Sequence, residues 1–427
     1  MDFLGLPPVL IALLGVAVFF IAVFKINFAL GILIFSMLLS PEFSAGAITG
    51  RQVVLRAEDI FLIVILLGWI ARMAINKEIG LMKRTALNQP IIIYSAICLV
   101  ATLLGAVQGT CNIKQGVFYL CKYIEYFAVF FMAVNNIENL RQSKVFIALL
   151  LLTCFFVDIY SWTHLGSVER LSAPFEGKGG EPNTLSVYLI LMMALIMGFI
   201  LHSKSLGQRL LFIGFFIFTF IPFVLTLSRG GWLAFFPMFF TFIVFARKYR
   251  KYLIIILILI SMLLPHVAPD RVRARITETF SPAKSYVVFG KKVGIDESTA
   301  SRVDSWKTGI QMWVKRPILG YGIPFGVSVD NQYTRVLNET GLLGMLAFLW
   351  IIYCLLSLGW WAYKETREDN FAQALSLGFL AGLIGLLVHS CSAATFIIIR
   401  IMETFWFLAA IIVILPEMVK AETAGLK

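Results

Sequence analysis

Charged residues, histidine and cysteine are scarce in this sequence of 427 residues, and each scarcity excludes a class of protein. Only 14% of the residues are charged and 59% are hydrophobic, whereas soluble domains carry about a quarter charged residues. The sequence therefore predicts an integral membrane protein with many spans. The net charge of +12 reflects membrane topology and not nucleic-acid binding, because the cations lie beside the apolar runs.

The four histidines and six cysteines form no familiar ligand or disulfide pattern. The sequence contains no His-Glu-x-x-His motif and no Cys-x-x-Cys pair, so we expect no metal ion. A phosphate-binding glycine loop and a dinucleotide fingerprint are also missing, and no cleavable signal is evident. We therefore expect no cofactor, and the donor of any reaction that the protein catalyses is not a cytosolic nucleotide.

Long apolar runs dominate what is present, and they predict an all-α polytopic membrane protein with twelve or thirteen transmembrane helices. The runs cover about 7–24, 26–40, 58–75, 90–107, 116–134, 146–163, 184–202, 209–226, 230–246, 251–266, 334–361, 371–390 and 394–417. The chain divides into transmembrane helices with short loops over 1–267, one long external, partly helical loop over 268–333, and C-terminal transmembrane helices over 334–427. Connections as long as 268–333 are usually functional.

Lysine and arginine are distributed unequally between alternate loops, which predicts the orientation. Fifteen lie in one set of short loops and six in the other, the smaller set including Arg170 and Arg229. By the positive-inside rule the richer set is cytoplasmic. The 268–333 segment and the turns that carry Arg170 and Arg229 are then external.

Two outer turns hold arginines that run against this bias. Arg170 opens the loop "RLSAPFEGKGGEPN", in which Asn183 either caps the next helix or serves function. Arg229 lies in "SRGG" between two spans; it either snorkels to lipid headgroups or binds an anion. The adjacent glycines favour the second reading, since they let a bulky ligand approach the backbone, and arginine suits bidentate phosphate binding.

The long outer segment offers further candidates. Arg275 belongs to an alternating arginine run that could lie on anionic headgroups. Ser298 or Thr299 is expected to cap a helix that ends near Lys315, and Arg302 on this helix either binds a ligand or faces solvent in an ion pair. A stripe of Trp306, Ile310 and Trp313 on the same helix is expected to serve packing more than sugar binding. Inside the bundle, Lys122 is expected to pair with Glu125, and Arg400 with Glu403.

Three stretches together resemble the bacterial O-antigen ligase and O-antigen polymerase superfamily. They are "TLSRGGWL", "SRVDSWKTGIQMWVKRPILGYG" and "DNQYTRVLNETGLLGMLAFLW", and the loop from Arg170 to Asn183 is similar to the family's upstream loop. The resemblance covers roughly residues 160–360. It implies a GT-C-like, metal-independent and inverting glycosyltransferase whose donor is a glycan on undecaprenyl diphosphate. Arg170 and Arg229 match the family's phosphate-binding arginines.

One departure from the family pattern changes the expected function. The position of Asp330 is typically histidine in the ligases, and here the carboxylate acts either as a general base or as a helix cap. We therefore expect a polymerase that extends lipid-linked repeat units of O-antigen or exopolysaccharide. The alternatives are a ligase that transfers the glycan to lipid A-core and a transporter of lipid-linked glycan, although the latter usually shows internal repeats.

The resemblance and the residues together yield one set of expectations. The protein would lie in the bacterial inner membrane with its active site facing the periplasm, and a chain-length regulator would be a further partner. The catalytic candidates are Asp330, Arg229 and Arg170, and the substrate-binding candidates are Arg275, Arg302, Asn183, Asn331, Tyr333, Glu339 and Lys122.

Overall fold

A computed structural model of the chain describes residues 8–48, 51–78, 80, 82–166, 168–176, 180–267, 269–279, 281, 284–288, 291–326 and 329–425. Every predicted apolar run forms a helix. The helices are α1 (Pro8–Phe24), α2 (Ile26–Leu39), α3 (Ala57–Ile75), α4 (Asn88–Val107), α5 (Ile113–Asn136), α6 (Leu140–Thr163), α7 (Pro182–His202), α8 (Leu206–Leu225), α9 (Arg229–Phe245), α10 (Arg250–Val267), α11 (Asp270–Thr279), α12 (Glu297–Lys315), α13 (Gln332–Glu365), α14 (Asn370–His389) and α15 (Ile399–Thr423).

Eight helices among the described residues are long and apolar enough to cross a membrane: α4 to α8 and α13 to α15. Three shorter apolar helices accompany them, formed by Leu13–Phe24 within α1, by α2 and by α9. Helices α3 and α10 complete the thirteen runs, and both open with charged residues. The all-α polytopic class is confirmed.

Two small antiparallel hairpins were not predicted. Strand β1 (Glu42–Ile48) pairs with β2 (Arg51–Arg56), and β3 (Lys284–Val288) pairs with β4 (Lys291–Ile295). Both hairpins lie in polar connections between helices, the first before α3 and the second between α11 and α12. They extend the loops without changing the helical class.

The centre of the bundle is formed by α7, α14 and α15, whose residues are almost all buried. Small residues let α7 and α14 approach closely: a methyl group added at Gly198 would lie 2.2 Å from the carbonyl oxygen of Ala374. Close backbone approach replaces the hydrophobic effect as the source of helix association in lipid. The outer faces of α8 and α10 are exposed and apolar, as expected for helices that contact lipid.

A group of charged side chains is buried between α3 and α5. The Lys122 ammonium pairs with Asp59 and lies 3.1 Å from Glu125, and its side chain is 6% exposed. The expected Lys122–Glu125 pair is thus confirmed. The expected Arg400–Glu403 pair is wrong, because Arg400 donates instead to the carbonyl oxygens of Pro174 and Ser40 at 2.7 and 3.1 Å.

Helix α13 is broken near its start, which the continuous run 334–361 did not reveal. Gly341 has φ 66° and ψ −162°, a conformation that glycine adopts far more readily than other residues. The amide groups of Leu342 and Leu343 after the break donate to the carbonyl oxygens of Pro317 and Ile318. The polar residues before Gly341 therefore form a short separate head, and the membrane-crossing part of α13 begins after it.

Candidate functional site

The turn between α8 and α9 is the scaffold of the site. Ser228 caps α9 by accepting a hydrogen bond from the amide of Gly231 at 3.3 Å, and its own hydroxyl donates to the side chain of Asn183 at 2.8 Å. Asn183 is not the cap of α7, as one reading expected, because it lies inside that helix after Pro182. Leu227 has a φ of 53°, so the turn carries backbone strain that the surrounding contacts must offset.

The two glycines after Arg229 serve helix packing in this structure. A methyl group at Gly230 would lie 2.1 Å from the hydroxyl oxygen of Ser392, and one at Gly231 would lie 1.8 Å from that of Ser186. The glycines thus bring α9 against α7 and against the turn after α14. We expected these glycines to let a bulky ligand approach the backbone. That expectation is wrong on the side where a Cβ atom would point, because protein atoms already occupy that space.

Arg170 is fixed to the same turn from the preceding loop. Its guanidinium donates to the carbonyl oxygens of Thr226 and Leu227, each at 3.3 Å. Burial lowers the pKa of Arg170, and the nearby Arg275 and Arg302 lower it further. A cation kept among other cations in this way is stabilised by an anionic ligand.

Arg229 joins α9 to the long polar segment. Its Nη2 atom lies 2.7 Å from Oδ2 of Asp296, and its Nη1 atom donates to the hydroxyl of Thr279 at 3.3 Å. The side chain is 11% exposed, so it does not snorkel into bulk water. The guanidinium has five N–H donors, and these contacts leave others free for a ligand.

Asp296 has two roles at the start of α12. It is the N-cap of that helix and accepts from the amide of Thr299 at 3.3 Å, so the expectation of a Ser298 or Thr299 cap is wrong. Partial burial raises the pKa of Asp296, but hydrogen bonds from Thr299 and Arg229 outweigh burial and hold it below its usual range. The carboxylate is therefore ionised and neutralises part of the arginine charge. The end of this helix at Lys315 is as expected.

Two more arginines complete a group of four. Arg275 on α11 pairs with Glu278 at 2.5 Å, and its buried Nε atom has no hydrogen-bond partner within the described residues. Arg302 on α12 is half-buried; burial lowers its pKa, Arg229 lowers it further, and Asp330 raises it. We call these four residues the arginine cluster: Arg170, Arg229, Arg275 and Arg302. Two members of the cluster, Arg170 and Arg275, line a cavity of about 620 Å³, which Glu169 and Glu278 also line.

Helix α11 closes one side of this cavity. The Arg271 guanidinium donates to the carbonyl oxygen of Val168 at 2.8 Å, which ties α11 to the loop of Arg170. Arg273 points elsewhere, since it is 52% exposed and pairs with Asp270 on the surface. The arginines of this run therefore have different environments: Arg271 and Arg275 line the cavity with Arg170, whereas Arg273 does not.

Asp330 and Asn331, at the start of α13, have different roles: one caps the helix, and the other is left as the candidate base. Asn331 is the N-cap: its side chain accepts from the amide of Thr334 at 2.9 Å and donates to the carbonyl oxygen of Cys391 at 3.1 Å. The reading of Asp330 as the helix cap is therefore wrong. The Asp330 side chain is exposed, has no hydrogen-bond or ion-pair partner in the described part of the chain, and interacts electrostatically with Arg302.

The remaining predicted binding residues are engaged with the protein itself. The Tyr333 hydroxyl donates to the carbonyl oxygen of Leu387 at 2.8 Å. Glu339 is buried, pairs with Arg335 at 2.9 Å and accepts from the amide of Phe325 at 3.3 Å. Lys122 lies in the buried charged group described above. These three side chains hold elements together, whereas Arg275 and Arg302 lie in the arginine cluster.

The stripe of Trp306, Ile310 and Trp313 on α12 is only partly buried: both tryptophans are half-buried, and Ile310 is exposed. Ile310 is 48% exposed, and the helix instead packs against α13 through Gly309. The indole N–H of Trp306 donates to the backbone carbonyl of Asp330 at 3.4 Å. The half-buried Trp306 side chain therefore lies next to the candidate base, Asp330.

A buried histidine near the cluster was also missed. His389 ends α14, contacts the hydroxyl of Thr395 at 2.8 Å through Nδ1, and is fully buried. Its Nε2 atom has no partner among the residues that the structure describes. The polar stretch His-Ser-Cys-Ser between two apolar runs was the available signal. Within the described residues no group of three or more histidine, cysteine or acidic side chains has the arrangement of a metal site.

Comparison with known proteins agrees with this geometry. The family model described as O-Antigen ligase matches residues 214–349, which include the α8–α9 turn, α11, α12 and the head of α13. No curated protein matches the chain. The match leaves out Arg170 and the helices after α13, which complete the site. Residues 214–349 thus match the O-antigen ligase family model, and the resemblance of this membrane protein to the O-antigen ligase and polymerase superfamily is confirmed.

Proposed function

We propose that the protein joins a glycan carried on undecaprenyl diphosphate to a sugar hydroxyl at the periplasmic face of the bacterial inner membrane. The anomeric carbon–oxygen bond to the diphosphate breaks, and a new bond forms to the acceptor oxygen. The acceptor proton goes to a base, and the lipid diphosphate leaves with the bonding electron pair. Attack from the side opposite the leaving group inverts the anomeric centre.

The arginine cluster is the observation that carries this proposal. Its members come from four separate elements: the loop before α7, the start of α9, α11 and α12. Two of them, Arg170 and Arg229, are held by the strained α8–α9 turn, so their positions are fixed before a ligand arrives. Fixed cations stabilise a leaving diphosphate most where negative charge grows, and they require no metal for that task.

The contacts of Arg229 suggest how the donor is received. The Asp296 carboxylate occupies one edge of the guanidinium at 2.7 Å and orients the other donors. Each charge-assisted hydrogen bond to a phosphate contributes about 1.5–3 kcal/mol. Loss of one arginine should therefore lower the rate by tens to hundreds of times.

Asp330 is the proposed general base. Its carboxylate is exposed, it is not used by the helix cap, and its electrostatic interaction with Arg302 places it at the edge of the cluster. The backbone carbonyl of Asp330 accepts a hydrogen bond from the Trp306 indole N–H at 3.4 Å. An acceptor sugar stacked on Trp306 would bring its hydroxyl to the carboxylate.

We favour a polymerase that extends repeat units, because a carboxylate at position 330 replaces the histidine typical of ligases. The description of the matched family keeps a ligase acting on lipid A-core as the second candidate. The two reactions share the donor and differ in the acceptor. Lipid-linked repeat units are both donor and acceptor for the polymerase, whereas the ligase needs a separate glycolipid.

Reconstituted protein distinguishes these functions. Proteoliposomes that contain only polyprenyl-diphosphate-linked repeat units should give a ladder of longer products without added nucleotide. Products that appear only after lipid A-core is added would favour the ligase. Passage of the glycan across the bilayer with no new bond would refute an enzyme in favour of a transporter.

Matched arginine substitutions test the cluster within the same assay. Arg229→Ala and Arg275→Ala should each slow transfer by tens to hundreds of times. Arg273→Ala is the control, because Arg273 lies on the same helix as Arg275 but pairs with Asp270 on the surface. Equal activity of all three variants would contradict the phosphate role.

A further inference from the structure

An apolar groove lies at the opposite end of the bundle from the arginine cluster. It has a volume of about 770 Å³ and is lined by the end of α1, one face of α2 and the start of α6. Phe28, Ile32 and Phe35 come from α2, and Val145 and Leu149 from α6. Both helices are membrane segments, so the groove opens beside the lipid phase at the level of their ends.

Three cations from separate elements converge on this groove. Lys25 links α1 to α2, Arg72 lies in the last turn of α3, and Arg141 lies in the first turn of α6. None of the three side chains has a hydrogen bond or ion pair within the part of the chain that the structure describes. Lys122 and Arg229, by contrast, are each paired with a carboxylate. The three like charges repel one another unless an anion joins them.

A buried polar atom marks the same place. Asn27 lines the groove, and its amide oxygen Oδ1 is buried with no hydrogen-bond donor among the described residues. A buried acceptor without a donor is unfavourable. A ligand that brings both an anion and a hydroxyl group would satisfy Asn27 and the three cations together.

We infer that this groove binds an anionic glycerophospholipid with a hydroxylated headgroup. Its phosphodiester would lie among Lys25, Arg72 and Arg141, a headgroup hydroxyl would donate to Asn27, and an acyl chain would cover the apolar faces of α2 and α6. Basic pockets between transmembrane helices recognise anionic headgroups in this way. The positive-inside bias accounts for the sign of these charges but not for their meeting at one apolar groove.

Native mass spectrometry of the full-length protein tests the inference. The protein is exchanged into detergent with equal amounts of phosphatidylglycerol and phosphatidylethanolamine, and the retained lipid is counted. We expect at least roughly tenfold preference for phosphatidylglycerol, since each cation near the surface contributes about fivefold. Lys25→Gln, Arg72→Gln and Arg141→Gln combined should remove that preference.

A matched control keeps the charge change equal. Lys204→Gln, Lys251→Gln and Arg367→Gln combined remove three exposed cations from the same end of the bundle and should leave the preference intact. Equal retention by both triple variants would overturn the inference, as would competition by soluble glycerol phosphate alone. A dimer that dissociates only in the first variant would assign the groove to a second copy of the chain instead.

A second measurement covers the case in which the first triple variant folds poorly. The single variant Arg72→Gln should bind phosphatidylglycerol about fivefold more weakly, and thermal stabilisation of the protein by that lipid should decrease in parallel. Stabilisation equal to that of the unsubstituted protein would count against the site.

Discussion

Two substitutions at adjacent positions are expected to have different effects: Asp330→Asn should lower the transfer rate, and Asn331→Ala should lower the stability. The Asp330 side chain is exposed and has no hydrogen-bond partner in the described chain, so Asp330→Asn should change the free energy of unfolding by less than about 0.5 kcal/mol. It removes the only group proposed to take the acceptor proton. General base catalysis contributes roughly 10²–10⁴ in rate, and the transfer rate should fall by that factor.

Asn331→Ala removes the cap of α13 and the hydrogen bond to Cys391. A lost cap costs about 1 kcal/mol, and a lost hydrogen bond costs about as much again. Thermal unfolding of Asn331→Ala should therefore occur at lower temperature than that of Asp330→Asn. Its activity loss should be the smaller of the two at temperatures where both variants are folded.

The assay is transfer of a labelled glycan in proteoliposomes that contain equal amounts of folded protein, with tryptophan fluorescence to follow unfolding. Glu297→Gln serves as the control, because Glu297 is an exposed carboxylate one residue from Asp296 and should tolerate the change. If Asp330→Asn keeps more than half of the rate, or unfolds as early as Asn331→Ala, the division of tasks between the two residues is wrong.

Three further predictions concern the supports of the site. The pKa of Asp296 is lowered in the folded protein, so its contribution to stability is present above the ordinary value of 3.8 and is lost as the pH falls through the folded pKa. Asp296→Asn should therefore weaken the loss of stability that the protein shows at acid pH. An unchanged dependence of stability on acid pH would contradict this prediction. Gly230→Ala should sharply reduce the yield of folded protein, while Ser392→Gly in the same chain should restore it, because the new methyl group would meet the Ser392 hydroxyl; failure of that rescue would place the clash elsewhere. Lys122→Met should destabilise the bundle by about 3–5 kcal/mol, since it leaves buried carboxylates unpaired. Normal stability together with weaker substrate binding would contradict this and would support a role of Lys122 in substrate binding.

The helices could be predicted from the hydrophobicity of the sequence, since every apolar run forms a helix. Most helix ends fall within a few residues of the expected bounds. In lipid the backbone has few alternatives to a helix. The hairpin of β1 and β2 escaped prediction because its polar, glycine-containing sequence carries no such constraint. The break at Gly341 was hidden for a related reason: glycine inside an apolar run looks like any other small packing residue.

The candidate site was predictable in its residues but not in their partners. Arg170, Arg229, Arg275 and Arg302 stood out because they oppose the charge bias or lie in the polar segment. The Asp296 partner of Arg229 lies 67 positions further along the chain, and no local pattern connects the two. The choice between Asp330 and Asn331 as cap also depends on a distant carbonyl, that of Cys391. Sequence periodicity contains no information on such contacts.

The break at Gly341 gives Asp330, the proposed base, an attachment that is separate from the membrane span that follows it. The head of α13 is fastened to the α14–α15 connection by a hydrogen bond from the amide of Gln332 to the carbonyl oxygen of Ser390. The segment matched by the family model is consequently not an autonomous unit: cut out at residues 214 and 349, it would lose Arg170, the proposed phosphate ligand upstream, and the anchor of Asp330, the proposed base, downstream. Any minimal version of this protein must keep the last two helices.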